Sequence, residues 1–337
     1  MNQYFATFIP GLQELVAKVL KKELRQIQVQ ALSEGLVVFR SPQSFRKIVS
    51  LSFFNNSFYC LFWEKNQFPI EKLIKVFLAN SSEAIFLPRE ILARKKTFRI
   101  MASVQSRLVS LPKKLLKKGE DLFSSQWGLA VDRSLPDLEA WFLTRREGAS
   151  LVGVRLTKKA SLEKRLHPGE LRPELVNLMG HLADLQPKDI LLDPFAGYGA
   201  IPLGCARFFS SRGVIAGEKN KAVLKILKSK VKQEKTRIRV YEGDGLKLRY
   251  LADCSVDKII TDPPWGIYES QNRDWEKFYF EMLESFQRVL KPGGKMVILT
   301  AQRSILEKLV NRFPDLFIEV KYNLLVSGKK AGLYKLE

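Results

Sequence analysis

The chain is poor in the residues that staple a fold together. Its three cysteines, Cys60, Cys205 and Cys254, are far apart, odd in number and form no CxxC pair, and only His167 and His181 accompany them. A disulfide framework and a structural zinc are therefore both excluded, and no metal is expected. Long apolar runs are missing as well. No stretch approaches 18 consecutive apolar residues, and the opening MNQYFATFIPGLQELVAKVL is broken by Pro10-Gly11 and carries Glu14. Neither a membrane span nor a signal peptide is expected, which points to the cytoplasm. Negative charge is scarce: 35 Asp+Glu face 56 Lys+Arg, a net charge of +21 over 337 residues. A surplus of that size suits a nucleic-acid backbone as partner.

What is present is ample material for packed cores, with 46% hydrophobic and 11% aromatic residues and a mean hydropathy of −0.11. Disorder is excluded, and the length suggests two or three domains. Residues 3–8 read as a strand, Gly11 to Gln26 as a helix, 35–39 as a strand, 42–51 as a helix and 58–63 as a strand, a small α/β unit over 1–64. A second unit over 65–157 begins with a helix after Pro69. It continues with a strand at 97–102, a basic amphipathic helix at 111–118, and strands 138–145 and 150–156 turning at Glu147-Gly148. Residues 89–170 hold 18 Lys+Arg against 9 Asp+Glu. Arg155, Lys158, Lys159, Lys164, Arg165 and Arg172 gather around a basic linker, 158–172, where they are candidates for contacting phosphates.

Over 173–337 strands and helices alternate: strands at 189–193, 213–218, 238–244, 256–262 and 293–301, with helices opening at Ala200, Asn220 and Trp275. This is the pattern of a doubly wound, mostly parallel sheet. Two final strands, 316–327 and 332–336, pair antiparallel at its edge.

Ligands of such sheets bind beyond the strands' carboxyl ends, so the residues after each strand are the informative ones. The first loop is Asp193-Pro194-Phe195-Ala196-Gly197-Tyr198-Gly199. Its glycines admit a close ligand, but its acid would repel a pyrophosphate, and Pro202 occupies the place of the third small residue of a dinucleotide fingerprint. The second strand ends in Glu218, followed by Lys219, where an acid can take both hydroxyls of a ribose. The third ends in Gly243-Asp244-Gly245, an acid able to accept from an adenine amino group. In this order the three acids describe a nucleoside that carries an amino acid: S-adenosyl-L-methionine.

The fourth loop, Asp262-Pro263-Pro264-Trp265-Gly266, follows an apolar strand. Consecutive prolines remove two N–H donors, so acceptors face the ligand. The Asp262 carboxylate and the Pro263 carbonyl can hold the hydrogens of an exocyclic amine as its nitrogen becomes tetrahedral and attacks a methyl group, and Trp265 can stack on a base swung out of its helix. No cysteine stands in this loop, so covalent attack on a pyrimidine lacks its nucleophile.

DPFAGYG, GDG and DPPWG, in this order and spacing, resemble the motifs of class I S-adenosylmethionine-dependent methyltransferases that act on exocyclic amines. GELRPELVNLM (169–179) is similar to the cofactor-flanking segment of the THUMP-domain RNA guanine-N2-methyltransferases, which marks Leu171, Arg172 and Pro173 as further cofactor candidates. FIPGLQELVAKVLKKEL with GLVVFR resembles that family's N-terminal ferredoxin-like unit. TFRIMAS, LFSSQWGLAVDRSLPDLEAWF and VGVRLTKKASLEKR resemble its THUMP domain. The resemblance implies a ferredoxin-like unit, a THUMP RNA-binding domain and a Rossmann-like methyltransferase acting on RNA, tRNA favoured over rRNA, to form N2-methylguanosine. Ala196, Tyr198 and Ala200 depart from the family's first loop, and Tyr198 is expected to narrow the methionine end. Competing readings are an adenine-N6 methyltransferase acting on DNA, an RNA-binding factor that keeps the fold without catalysis, and, weakest, a nicotinamide dehydrogenase.

Overall fold

The computed structural model describes residues 1–80, 85–157, 166–266 and 273–337. By internal contacts the chain divides into two units, Met1–Phe8 with Leu20–Lys159, and Ile9–Val19 with Ala160–Glu337.

The chain opens with β1 (Asn2–Thr7), α1 (Gln13–Glu23), β2 (Gln28–Ser33), β3 (Leu36–Ser41), α2 (Phe45–Val49) and β4 (Asn56–Glu64), all of them in the first unit except Gln13–Val19 of α1, which falls in the second. It continues through α3 (Ile70–Asn80), α4 (Arg89–Leu92), β5 (Thr97–Val104), β6 (Arg107–Leu108), α5 (Lys113–Trp127), β7 (Ala130–Val131), β8 (Leu138–Thr144) and β9 (Ser150–Arg155). These strands form one sheet in the order β2-β3-β1-β4-β9-β8-β5-β6, with β7 beside β5. Residues 1–64 and 65–157 thus share a sheet, because β4 pairs antiparallel with β9, Phe58 opposite Arg155 and Glu64 opposite Ser150.

The short elements α4, β6 and β7 are not foreseen in the sequence, and two larger differences have evident reasons. β2 is not foreseen: it is a short edge strand, four of its six residues exposed, in which Val29, Ala31 and Leu32 are mixed with polar residues. α5 runs well past residue 118, to Trp127, and stops at Gly128, whose φ of +68° is the left-handed conformation that ends helices. The added turns bury Phe123 and Trp127, stacked at 4.3 Å between ring centres. Phe123 also meets Phe77, Phe98 and Phe142 within 6.3 Å. This aromatic packing fixes the helices on the sheet.

The second unit contains α6 (Pro173–Leu182), β10 (Ile190–Asp193), α7 (Ala200–Phe208), β11 (Gly213–Glu218), α8 (Lys221–Gln233) and β12 (Ile238–Glu242). After these come β13 (Val256–Thr261), α9 (Trp275–Val289), β14 (Leu290–Thr300), α10 (Arg303–Val310), β15 (Ile318–Val326) and β16 (Lys329–Leu336). The sheet order is β12-β11-β10-β13-β14-β16-β15. The first five strands are parallel, and β16 runs antiparallel to both β14 and β15. The expected α/β class, a doubly wound sheet with an antiparallel edge hairpin, is thus the observed one. The hairpin turns through Ser327 and Gly328, both at positive φ (48° and 79°), with Val326 opposite Lys329. Two such residues make a two-residue turn whose twist matches the flanking strands.

Beneath this sheet α9 and α10 bury Tyr279, Met282, Phe286, Leu306 and Leu309 against Val256, Ile259 and Ile298. Chain order reverses at β10, which lies between β11 and β13, so a crevice opens above the carboxyl ends of these strands. Among the described residues no helix is long and apolar enough to cross a membrane, and no three His, Cys, Asp or Glu side chains gather as metal ligands do.

Candidate active site

β10 ends in Asp193, 1% exposed. One of its oxygens accepts from the Thr261 hydroxyl (2.8 Å) and from the Phe195 N–H (3.2 Å). Burial outweighs these bonds and, with the nearby Glu218 charge, pushes the Asp193 carboxyl up to about 7. Gly197, at φ +51°, has open space where a Cβ would stand. Gly199, the N-cap of α7 at φ +93°, is needed for packing: a Cβ there would lie 2.6 Å from Leu227 of α8.

Glu218 ends β11. Its two oxygens accept from the Gly197 N–H (3.0 Å) and the Asn220 N–H (2.6 Å), which bind the first two loops together. Asn220 in turn caps α8. After β12, Asp244 accepts from Lys219 (2.9 Å) and from the Leu246 N–H (3.1 Å). Burial opposes ionisation of Asp244, but these bonds prevail and hold it below the ordinary carboxylate range.

At the end of β13 the Asp262 carboxylate accepts from the Trp265 indole N–H at 2.6 Å. Burial raises Asp262 well above the usual carboxylate range, the indole bond opposes this, and the Asp193 charge adds to it. The loop is pinned from behind: the Tyr279 hydroxyl donates to the Pro264 carbonyl (3.3 Å) and the Gln302 side-chain amide to the Trp265 carbonyl (2.7 Å). Gly266, at φ +77°, lies where any Cβ would strike the Trp275 indole.

These loops enclose a cleft of about 800 Å³, lined by Pro194, Phe195, Gly197, Glu218, Lys219, Gly243, Asp244, Gly245 and Asp262. A recess of about 220 Å³ shares Phe195, Gly197 and Asp262 with it and adds Leu171, Asp193, Ala196 and Tyr198. The Tyr198 ring is stacked on His167 at 4.0 Å. Pro173 and Gly199 line a separate hollow beside α7 and α8, and Arg172 stands at the N-cap of α6. Arg155 belongs to the first unit, where it is 12% exposed and ion-paired with Glu139 at 3.3 Å over the Trp141 ring. The same Glu139 carboxylate also pairs with Arg99, so one negative charge is shared by two guanidiniums. Lys158, Lys159, Lys164 and Arg165 lie outside the described residues.

The cleft has a wall the strand-end rule does not reach. Asp274, Lys277, Phe278 and Glu281 of the α9 segment line it together with Arg273. Their spacing of i, i+3, i+4 and i+7 is one helix face and stood in the sequence as the available signal. Tyr250 is a further hidden element. Its ring stacks on Tyr241 at 5.0 Å and fills the space left by Gly217 and Gly243. Its buried hydroxyl has no hydrogen-bond partner among the described residues, and a Cβ on Gly217 would stand 2.1 Å from it. Gly217→Ala is expected to destabilise the unit by about 1–3 kcal/mol through overpacking. Tyr250→Phe is expected to be near neutral by itself, since it removes an unsatisfied group, and to restore most of the loss in the double variant. Urea unfolding of the four proteins measures both effects, and a double variant no more stable than Gly217→Ala would refute the wedge.

Residues 162–324 match the family of the RMKL-like methyltransferase domain. The chain is 32% identical over 206 residues to a Bos taurus protein named tRNA (guanine(6)-N(2))-methyltransferase THUMP3, an alignment covering 56% of this chain and 40% of that one. It is 26% identical over 231 residues to a tRNA (guanine(6)-N2)-methyltransferase of Thermus thermophilus, covering 67% and 68% of the two chains. The crystal structure of TrmN from Thermus thermophilus superposes with a TM-score of 0.77 at 22% identity, over 100% of this chain and 99% of that one, so the fold is shared along the whole length. This chain spans about 40% of the length of the mammalian relatives it matches. The segment that matches the RMKL-like methyltransferase domain, residues 162–324, is thus the one that carries all four strand-end loops.

Proposed function

We propose that the protein transfers a methyl group from S-adenosyl-L-methionine to the exocyclic N2 amine of a guanine in tRNA. The observation that carries this reading is that Asp262 lines both the cleft that holds Glu218, Asp244 and Pro264 and the adjoining recess that holds Asp193.

The residues fit the cofactor. Glu218 and Asp244 lie along the larger cleft, suited to a ribose diol and an adenine amine, while Asp193 lies in the smaller recess and lacks a cationic partner among the described residues. A buried acid without a cation favours a cationic ligand, and the methionine end with its ammonium and sulfonium supplies one. When bound, the cofactor contributes an electrophilic methyl group. The chain contributes acceptors: the Asp262 carboxylate and the Pro263 carbonyl hold the amine's hydrogens, and the nitrogen's lone pair localises as they do so. A bound cofactor would supply the methyl group and take up the electron pair of its own S–C bond, and Asp262 or water would receive the proton that the amine gives up. The raised proton affinity of Asp262 favours that transfer.

The choice of guanine and of tRNA is supported by what the relatives are named for, and the surplus of positive charge supports a nucleic-acid substrate. The test is transfer of labelled methyl to separate pools of unmodified tRNA, rRNA and DNA, followed by nucleoside analysis. Label in N2-methylguanosine from tRNA is the expected result. The same nucleoside from rRNA alone would replace the substrate, and N6-methyladenine in DNA would overturn the proposed base.

A further inference from the structure

The Asp262-Pro263-Pro264-Trp265 turn has an unusual shortage of donors. Prolines at 263 and 264 remove the two backbone N–H groups that commonly serve an acid at such a turn. The one hydrogen bond to the Asp262 carboxylate among the described residues comes from Trp265 Nε1, at 2.6 Å to Oδ1. That geometry is built rather than incidental. The Trp265 carbonyl is held by Gln302 Nε2 at 2.7 Å, the Gln302 N–H is held by the Thr300 hydroxyl at 2.9 Å, and that hydroxyl is 2.6 Å from the hydroxyl of Tyr279. Tyr279 closes the ring of contacts on the Pro264 carbonyl. Two elements behind the loop, the end of β14 and the buried face of α9, therefore fix the backbone of Pro264 and Trp265 from which the indole projects.

We propose that Trp265 acts as a positioning residue through its indole N–H, which holds one oxygen of Asp262 and leaves the other to the incoming amine, a role separate from any stacking by its ring face. The inference rests on the proposed methyl transfer at this cleft. Among the aromatic side chains Phe offers no donor, and the Tyr hydroxyl sits at the far end of its ring. Trp carries its N–H on the edge, where this turn presents the carboxylate. The groups facing Asp262 give it little other support as an anion. Asp193 at the end of β10 is a like charge, Tyr279 on α9 has its own hydroxyl raised by burial, and Glu218 is a further acid on the cleft. The cations Arg273 and Lys277 line the α9 side of the cleft. An indole donor opposes the effect of burial on this acid, so its loss moves Asp262 further toward the neutral form.

Trp265→Phe separates the two roles, because it keeps an aromatic face and the backbone carbonyl that Gln302 holds. The expected result is a kcat for methyl transfer to tRNA lower by about 10- to 100-fold at pH 7, the range for losing a hydrogen bond to a charged group. KM for tRNA should stay within about twofold of wild type by the same reasoning, since no tRNA contact is removed, and the acid limb of the kcat profile should move to higher pH, so that the deficit shrinks in alkaline buffer. A variant with unchanged kcat and pH profile, or one whose only defect is a raised KM for tRNA, overturns the proposal.

A second measurement does not depend on turnover. In 15N-labelled protein the Trp265 indole N–H signal, assigned by its absence in Trp265→Phe, should lie at the downfield end of the indole signals. It should move upfield both in Asp262→Ala and as Asp262 is protonated by lowering the pH. An indole signal indifferent to Asp262→Ala overturns the proposal even if the substrate is not tRNA. Conversely, a wild-type enzyme silent on every RNA pool, with the indole signal behaving as expected, refutes the substrate and leaves the positioning role standing.

Discussion

Asp262→Ala is expected to lower methyl transfer by about 10²- to 10³-fold, the usual loss when a preorganised group at the reacting centre is removed, while leaving cofactor affinity nearly unchanged. The separation follows from where the cofactor's recognised groups would sit. Glu218 is tied to Gly197 and Asn220, and Asp244 to Lys219 and Leu246, in bonds that do not involve Asp262. Removing Asp262 also removes a like charge close to Asp193, which favours ionised Asp193 rather than weakening it. The measurements are calorimetric titration with the cofactor and single-turnover transfer. Wild-type transfer by the variant would end the proposed activation of the amine, and equal losses of binding and transfer would relocate Asp262 to the cofactor's support alone.

The second large effect concerns Asp193 and pH. Its carboxyl is raised to about 7 in the folded protein, chiefly by burial, whereas an unfolded chain releases that proton near pH 4. Between these values the folded, cofactor-free protein holds a proton that the unfolded chain has lost. Stability therefore falls as pH rises from about 4 to about 7, by at most about 4 kcal/mol. Asp193→Asn should abolish that slope, and the variant should melt above wild type at pH 8 when no cofactor is present. A cationic ligand needs the ionised form, so wild-type affinity for the cofactor should rise with pH up to about 7, by as much as about tenfold per unit. The Asn variant should bind weakly and without that dependence. Thermal melts and titrations from pH 5 to 8 check both signs. A wild-type affinity that is flat with pH would show that Asp193 does not face the cofactor's charge.

The strand-end acids were legible because sheet geometry does the work: an alternating pattern locates the strands, and whatever follows a strand faces the crevice. Asp193, Glu218, Asp244 and Asp262 are thus assigned to the same end of the sheet by sequence pattern alone. The helix starts at Ala200, Asn220 and Trp275 were legible for a similar local reason, since loop residues and caps precede them. β2 was not, because a six-residue edge strand that is largely exposed carries little signal even with Val29, Ala31 and Leu32 in it. α10 was passed over although Leu306, Leu309 and Val310 sit at helical spacing. The α9 wall of the cleft and the Tyr250 wedge needed tertiary packing to be seen. The hydrogen bond from Trp265 to Asp262 depends on side-chain rotamers that no spacing of letters records. Charge counted along the chain likewise says nothing of the Glu139 that Arg155 shares with Arg99.

The pairing of β4 with β9 has a consequence for how the chain is made. About ninety residues separate the two strands, so the contact is strongly non-local and belongs to the slow end of folding. During synthesis β1, β3 and β4 can assemble early, but the free edge of β4 then carries Phe58, Tyr59, Phe62 and Trp63 with no neighbour until β9 leaves the ribosome. An apolar, β-prone edge left open in this way invites pairing with other nascent chains. The first unit should therefore be the part of the molecule that relies most on chaperones, and a chain cut short before residue 150 should aggregate rather than persist as a small soluble domain.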